Sequence, residues 1–251
     1  MYTETEGVIF RQIKTVNGRR MILLFSQKYG KISAGTSMGE KAGSRAALAM
    51  RPFTYGKYDL YKSRDSYSIN GAEVIKAYYG IGEDVEKYMC ASYVLEYTEK
   101  FLVEGAPDPK AFRLLLDFLE VIENRKKEYM TAVIAFQFKA LQIAGMAPET
   151  GCCARCGAKA GLGFFSVAEG GVICGGCRDN IVGAQGNDEL IYDIDFDIIV
   201  VLRYFLGNSL KSIEHLALDE KIMPKMRAIA KAYGAYHLGI KGLRSENILG
   251  D

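Results

Sequence analysis

The chain has 251 residues, 49% hydrophobic and 25% charged, with no tryptophan, five prolines and a net charge of +2. These are the proportions of a folded globular protein, and they exclude a disordered, collagen-like or strongly acidic chain. The opening residues MYTETEGVIFRQIK carry Glu4 and Glu6 without an apolar leader core, and the longest strongly apolar run, Ile198 to Leu202, stops at Arg203. A bilayer span needs roughly 20 apolar residues, so the expectation is a cytoplasmic protein whose thiols stay reduced.

Residues 7 to about 76 read as strands. EGVIFRQIK and MILLFSQ flank TVNGRR, where Asn17-Gly18 signals a type I′ hairpin turn. KISAGTS, RPFTYGKYDLYKS and SYSIN follow, with turns at Gly30 and at Ser63 to Asp65. In the fourth run Phe53, Tyr55, Tyr58 and Leu60 recur at strand spacing around Gly56. Ala46 to Ala49 suit a short helix or an ordered loop. About five short strands in a compact unit predict a small barrel of the OB type over residues 1–80.

From residue 82 the period becomes helical. EDVEKYMCASYVLEYTEKFL sets Val85, Tyr88, Met89, Ser92, Leu95 and Leu102 on one face. Asp108 caps a second helix with Pro109 at its first position, and its stripe is Phe112, Leu115, Leu116, Leu119 and Ile122. The cluster Glu123 to Glu128, with Arg125, Lys126 and Lys127, reads as a solvated helix end. A third helix, about 127–144, ends at Gly145. Further helices are predicted over about 195–206, 209–217 and 224–238, the first capped by the Asp193, Asp195, Asp197 series. The fold class is therefore α+β: an N-terminal OB-fold barrel, then an α-helical domain over residues 81–251 that carries a cysteine-rich insertion at about 149–188.

That insertion contains CCARCGAKAGLGFFSVAEGGVICGGC, residues 152–177, with five of the six cysteines. Cys153-x2-Cys156 and Cys174-x2-Cys177 are separated by 17 residues, the pattern of a tetrahedral four-thiolate zinc site. Gly157 and Gly175-Gly176 follow the two knuckles and permit positive φ beside the metal. A four-cysteine site is coordinatively closed, so one structural Zn2+ is expected rather than a catalytic one. Cys152 is an alternative ligand to Cys153, and a redox dithiol is the competing chemistry. Cys90 belongs to a helix core. With no P-loop, nucleophile elbow or HExxH motif, the chain does not read as an enzyme.

Charge is distributed unevenly. Residues 1–80 carry thirteen Lys and Arg against six Asp and Glu, so a polyanion is the expected partner of the barrel. The candidate DNA-binding cations are Arg11, Lys14, Arg19, Arg20, Lys28, Lys31, Lys41, Arg45, Arg51 and Lys57, with Lys62 and Arg64 beyond them. Tyr29, Tyr55, Tyr58, Tyr61 and Tyr67 are interleaved among them. Cations neutralise phosphates and aromatic faces stack on unpaired bases, so single-stranded nucleic acid suits this composition. A barrel that binds protein or structured RNA on a zinc-stabilised scaffold is the alternative reading.

The collinear pieces EGVIF, GKISA, SRAALAMRPF, YDLYKS, FLVEGAPDPKAFRLLLDFLE, CARCG…FFSVAEGGVICGGC and AYHLGIKGLRSENIL resemble the bacterial recombination mediator family RecO over nearly the whole chain. The resemblance implies a non-enzymatic, nucleoid-associated DNA repair protein. Such a protein binds single- and double-stranded DNA, anneals complementary strands and works with RecR to load RecA onto strands coated by the single-strand binding protein, SSB. It also implies that the helical domain receives the acidic SSB tail, for which Lys225, Arg227, Lys231, Lys241 and Arg244 are the candidate residues. One departure is GTSMGEKAGSR, where Ser37, Glu40 and Gly43 stand at commonly basic places; TVNGRRM, with Arg19 and Arg20, restores charge at the hairpin.

Overall fold

The computed structural model describes all residues except 15–19, 37, 39–44, 65, 186–189 and 248–251. The chain packs as two compact units, Met1–Asn124 with Leu243–Asp251, and Arg125–Gly242.

The first unit begins with strands β1 (Tyr2–Lys14), β2 (Arg20–Ser26) and β3 (Gly30–Thr36), a short helix α1 (Arg45–Ala49), and strands β4 (Thr54–Lys62) and β5 (Tyr67–Ala77). They close into a barrel in the order β1-β2-β3-β5-β4, with β4 returning to β1. All pairings are antiparallel except β3 with β5, which run parallel from Ala34–Tyr67 to Thr36–Ile69. Closure leaves no open sheet edge in the ring. Ile9, Ile22, Leu24, Ile32, Ala34, Tyr58, Leu60 and Ile69 fill the interior. Met50, directly after α1, joins them, and the buried Tyr58 hydroxyl donates to the Ala49 carbonyl at 2.6 Å, so α1 plugs the ring. The Asn17-Gly18 turn lies outside the described residues.

The inward face of β4 is Thr54, Gly56, Tyr58 and Leu60. Tyr55 is on the other face, where its hydroxyl donates to Glu6 and its ring meets Phe112 edge-on. Phe53 precedes the strand. The expected run through Phe53 and Tyr55 therefore mixes two faces, because glycine at 56 hides the true alternation.

Helices α2 (Tyr79–Gly82), α3 (Val85–Phe101) and α4 (Pro109–Asn124) complete this unit with the 3-10 turn Arg244–Asn247. Asp84 and Asp108 accept from the N–H groups of Lys87 and Ala111 at 3.0 and 2.9 Å, so both helices start on carboxylate caps. The stripe expected on α4 is buried apart from half-buried Leu116. The face expected on α3 is buried only in part: Leu95 and Leu102 are buried and Met89 and Ser92 half-buried, but Val85 and Tyr88 are exposed, and Cys90, Tyr93, Val94, Tyr97 and Thr98 are buried as well. α3 is packed by β1, α2, α4 and the C-terminal turn together, so its buried surface is set by several neighbours and includes polar-tipped residues. Gly30 (φ +70°) lets the β2–β3 turn touch the loop after α3: a Cβ there would sit 2.1 Å from the Ala106 carbonyl oxygen.

The second unit contains α5 (Tyr129–Ile143), β6 (Leu162–Ser166), β7 (Gly171–Cys174), α6 (Gly175–Gln185), β8 (Ile191–Asp193), α7 (Phe196–Gly207), a 3-10 turn Lys211–Ile213 and α8 (Ile222–His237). α5 packs on α7 and α8, and it is buried along most of its length. Strands order as β7-β6-β8. Phe165 meets Tyr233 edge-on, and His237 Nε2 donates to the Val167 carbonyl at 2.8 Å, so this small sheet is anchored on α8. Asp195 caps α7 through the Ile198 N–H at 3.2 Å, as expected from the acidic series. The helix expected over 209–217 is only a 3-10 turn. Ser209 and Ser212 bond each other at 2.8 Å, and such local side-chain pairing competes with a helix. Arg125 is also corrected: it is buried, not solvated. Its guanidinium donates to the carbonyls of Lys127, Glu128, Ile213, Glu214 and Leu216, holding the 3-10 segment to the start of α5. Among the described residues no helix is long and apolar enough to cross a membrane.

Candidate metal centre and nucleic-acid surface

The metal centre is built from two turns and one strand end. At the first knuckle Cys153 N–H donates to Ala158 O at 2.7 Å and Gly157 N–H donates back to Cys153 O at 2.8 Å. Gly157 takes φ +77°, the conformation its position calls for. At the second knuckle Cys174 ends β7 and Gly175 begins α6, which carries Cys177. Gly175 and Gly176 therefore need no positive φ; here the expectation fails, because a helix start brings the two thiols together instead. Ala154 N–H donates to Val172 O at 2.8 Å, which ties the first knuckle to β7.

The result is a cluster in which the Sγ atoms of Cys153, Cys156, Cys174 and Cys177 all lie within 4.8 Å of one another. Cys156 and Cys174 sulfurs are 3.8 Å apart. A tetrahedron with bonds of ~2.3 Å has sulfur edges of ~3.8 Å, so this thiol set fits zinc. Cys152 is outside the cluster and Cys90 is buried in α3. Burial pushes the Cys153 thiol up, but the N–H groups of Cys156, Cys174 and Arg155 outweigh it and the pKa falls to about 6. Cys177 is pushed up to about 12, chiefly by its hydrogen bond with Cys156, then by burial and by Cys174 and Cys153. Four sulfurs this close accommodate one negative charge at Cys153 and resist the next, so a bound cation is what lets all four ionise. Ile173 and Ile181 pack against Cys153 and Cys177, and Arg178 lies over the Phe164 ring at 4.5 Å.

The second feature is on the barrel. Tyr2 and Tyr61 face each other across β1 and β4, with ring centroids 5.1 Å apart, and they are 77% and 41% exposed. Tyr29 and Tyr67 are 5.5 Å apart. Lys62 Nζ stands over both, at 5.3 and 5.4 Å, and Lys28 Nζ stands over Tyr29 at 5.4 Å. Thr3 and Tyr29 share a hydrogen bond of 2.8 Å, which leads the influences lowering the Tyr29 pKa; burial opposes it, and Lys28 and Lys62 add to it. The pieces come from the start of β1, the end of β4, the start of β5 and the β2–β3 turn, which the closed ring brings to one end. Among the described residues neither Lys28 nor Lys62 is paired with a carboxylate.

The other candidate cations are dispersed. Arg11 is bidentate on Glu99, with its closest oxygen at 2.8 Å, and Lys31 donates to the Glu99 carbonyl at 2.8 Å. Lys57 pairs with Glu4 at 2.7 Å. Arg20 is half-buried at the start of β2, and Arg51 is exposed. Arg19 and Lys41 lie outside the described residues, as do Ser37, Glu40, Gly43 and the side chains of Lys14 and Arg45. Of the cations considered for the SSB tail, Lys225, Arg227 and Lys231 are on α8 and Lys241 follows it, whereas Arg244 belongs to the first unit. Tyr2 escaped the sequence reading. Its signal is its cross-strand partner Tyr61, which appears only once the register of β1 on β4 is known.

The protein thus pairs a closed barrel that has an aromatic and cationic end with a helical chain that carries a four-thiol cluster. The sequence matches the family described as "Recombination protein O N terminal" over residues 1–78 and "Recombination protein O C terminal" over residues 82–247. It is 28% identical to the DNA repair protein RecO of Alkaliphilus metalliredigens over 239 residues, covering 95% of this chain and 94% of that one. It is 26% identical to the DNA repair protein RecO of Bacillus subtilis over 250 residues, covering 99% and 94%. Against the DNA repair protein RecO of Desulforudis audaxviator it is 31% identical over 177 residues, 70% of each chain. The chain belongs to the RecO family of DNA repair and recombination proteins.

Proposed function

We propose that this protein is a recombination mediator. It binds single- and double-stranded DNA, anneals complementary strands and, with RecR, helps load RecA onto single strands coated by SSB. In this reading residues 1–80 are an OB-fold and residues 81–251 a helical domain. A zinc finger at about 149–188 holds one structural Zn2+ on Cys153, Cys156, Cys174 and Cys177, and the protein works in the cytoplasm at the nucleoid without catalysing a reaction.

The observation that carries the DNA reading is the end of the barrel, where Lys28 and Lys62 stand over Tyr29 and Tyr67 beside exposed Tyr2 and Tyr61. Cations there can follow a phosphate chain while tyrosine faces receive unpaired bases. The closed order β1-β2-β3-β5-β4 with its parallel β3–β5 closure supports the OB assignment. Annealing follows from the same charge: two strands repel, and a basic surface that neutralises both lowers the cost of bringing them together. Arg20, at the start of β2, and Lys31, on β3, are further DNA contacts in this proposal, as is Arg19, which lies outside the described residues. Lys225, Arg227, Lys231 and Lys241 are the proposed SSB-tail residues, with Arg244 beyond them; charge reversal of these five that leaves affinity for the tail peptide intact would remove that part.

The test is affinity for a single-stranded oligonucleotide at several salt concentrations, on wild type and on Lys28→Ala/Lys62→Ala. Tight binding that falls with salt, and a weaker, shallower response in the variant, supports the reading. Equal binding by both proteins moves the DNA site away from this end of the barrel.

A further inference from the structure

Before β4, the chain forms a second aromatic site. A cleft of about 270 Å³ is lined by Arg51, Pro52, Phe53, Tyr78, Tyr79 and Tyr88. That is just under the ~300 Å³ at which pockets for whole small molecules begin, and it suits one planar ring system. Phe53 and Tyr78 are buried and form its floor, whereas Tyr79 and Tyr88 are 63% and 51% exposed at its mouth. Phe53 has φ +59°, a conformation that costs a bulky side chain and that collects at ligand clamps. It is held there by the Tyr78 N–H, which donates to Phe53 O at 3.3 Å, and by edge-on contact with Tyr88 at 5.3 Å.

Cations stand on both sides of this aromatic ridge. Arg51 is exposed and has no carboxylate partner among the described residues. An adjoining cleft of about 570 Å³ shares Pro52, Phe53 and Tyr88 and adds the exposed Lys100 and Arg244. Its two carboxylates are already engaged: Glu99 by Arg11, and Glu96 by the N–H groups of Arg244 and Ser245 and the Ser245 hydroxyl. Cation, aromatic, cation is the order in which a single strand presents phosphate, base and phosphate. A peptide that adds as a strand would need a free edge, and β4 is paired with β1 on one side and β5 on the other.

We propose that this cleft is a base-binding pocket: it takes one unpaired nucleobase of single-stranded DNA against Tyr79 and Tyr88, with Arg51 on the neighbouring phosphate. The inference rests on the DNA-binding reading above and places a second contact on the same unit.

The experiment uses Tyr79→Ala/Tyr88→Ala and an oligonucleotide carrying 2-aminopurine, whose fluorescence is quenched on stacking. The expected result is single-strand binding weakened by about tenfold, unchanged duplex binding, and loss of the quenching seen with wild type. Gly82→Leu is the second variant. Gly82 lines the cleft and a Cβ there meets nothing within 4 Å, so the backbone accepts a larger residue at the cleft wall, and the same loss is expected. Variants that bind and quench like wild type overturn the pocket while the barrel-end variant still tests the DNA reading on its own. Wild type that fails to bind single strands overturns both. Variants that keep the oligonucleotide but lose the acidic SSB tail peptide show a peptide site and overturn the inference.

Discussion

Arg125 shows how one side chain can organise a segment. Its guanidinium fork reaches five carbonyls around the start of α5 and the 3-10 turn, and burial lowers its pKa without removing its charge. Arg125→Met should leave those carbonyls buried and unmet, at ~1–3 kcal/mol for each that water does not reach. A loss of about 3 kcal/mol or more is expected, read from the urea midpoint. Arg125→Lys should not restore it, because an ammonium cannot span the same fork. Glu96 is a second such residue. Burial raises its pKa, but the Ser245 hydroxyl and the N–H groups of Ser245 and Arg244 outweigh that and leave it lowered. A carboxylate whose folded pKa lies below its unfolded value of roughly 4.3 stabilises fully above that value, and the contribution fades as pH falls through the folded one. Glu96→Gln should therefore melt below wild type at pH 6, and the difference should close as melts are taken into acid.

At the scale of elements, the proposed zinc would support the cysteine knuckles and not the barrel. The sheet β7-β6-β8 is short, with strands of three to five residues, and Ile173 and Ile181 are the buried aliphatic residues of the cluster around the thiols. Chelation, or Cys174→Ala, should lower the melting temperature by about 10 °C, the shift that ~3 kcal/mol gives in a domain of this size. Single-strand affinity should persist in the protein that remains folded, since the proposed DNA contacts lie in the first unit and the cysteines in the second. Metal analysis should return close to one zinc per chain in wild type. A Cys174→Ala variant as stable as wild type would sink the structural role. Helix α3 makes a related point: its buried surface is wider than the spacing predicts and leaves Val85 and Tyr88 exposed, because a helix with neighbours on several sides has no single stripe, while the stripe of α4 is legible from spacing alone.

For the whole molecule the governing quantity is charge. The basic excess sits in residues 1–80, and the remainder is net acidic. Much of that excess is spent within the protein: Arg11 on Glu99 and Lys57 on Glu4. The number of cations free to displace counterions is smaller than the thirteen in the sequence suggests. Each phosphate neutralised contributes ~0.7 to the salt slope of single-strand binding, so Lys28→Ala/Lys62→Ala should flatten the slope by roughly 1.4. A slope unchanged within error would show that these lysines do not meet phosphate.

Local chemistry was written in the order of residues. Strand alternation, the Asp108-Pro109 and Asp195 starts, and the paired CxxC knuckles follow from neighbours a few positions apart, and they gave five strands, the main helices and the four clustered thiols. The folded chain decided what depends on distant partners. Lys62 meets Tyr67 across the local β4–β5 hairpin, but the aromatic end also needs Tyr2 beside Tyr61 and Lys62 over Tyr29, which only the folded ring provides. Arg125 reads as a surface charge because its acceptors Ile213, Glu214 and Leu216 lie about 90 residues away in the chain. Which cations are free is likewise a tertiary matter, since Coulomb pairing acts through space and Glu99 is 88 residues from Arg11 in the chain.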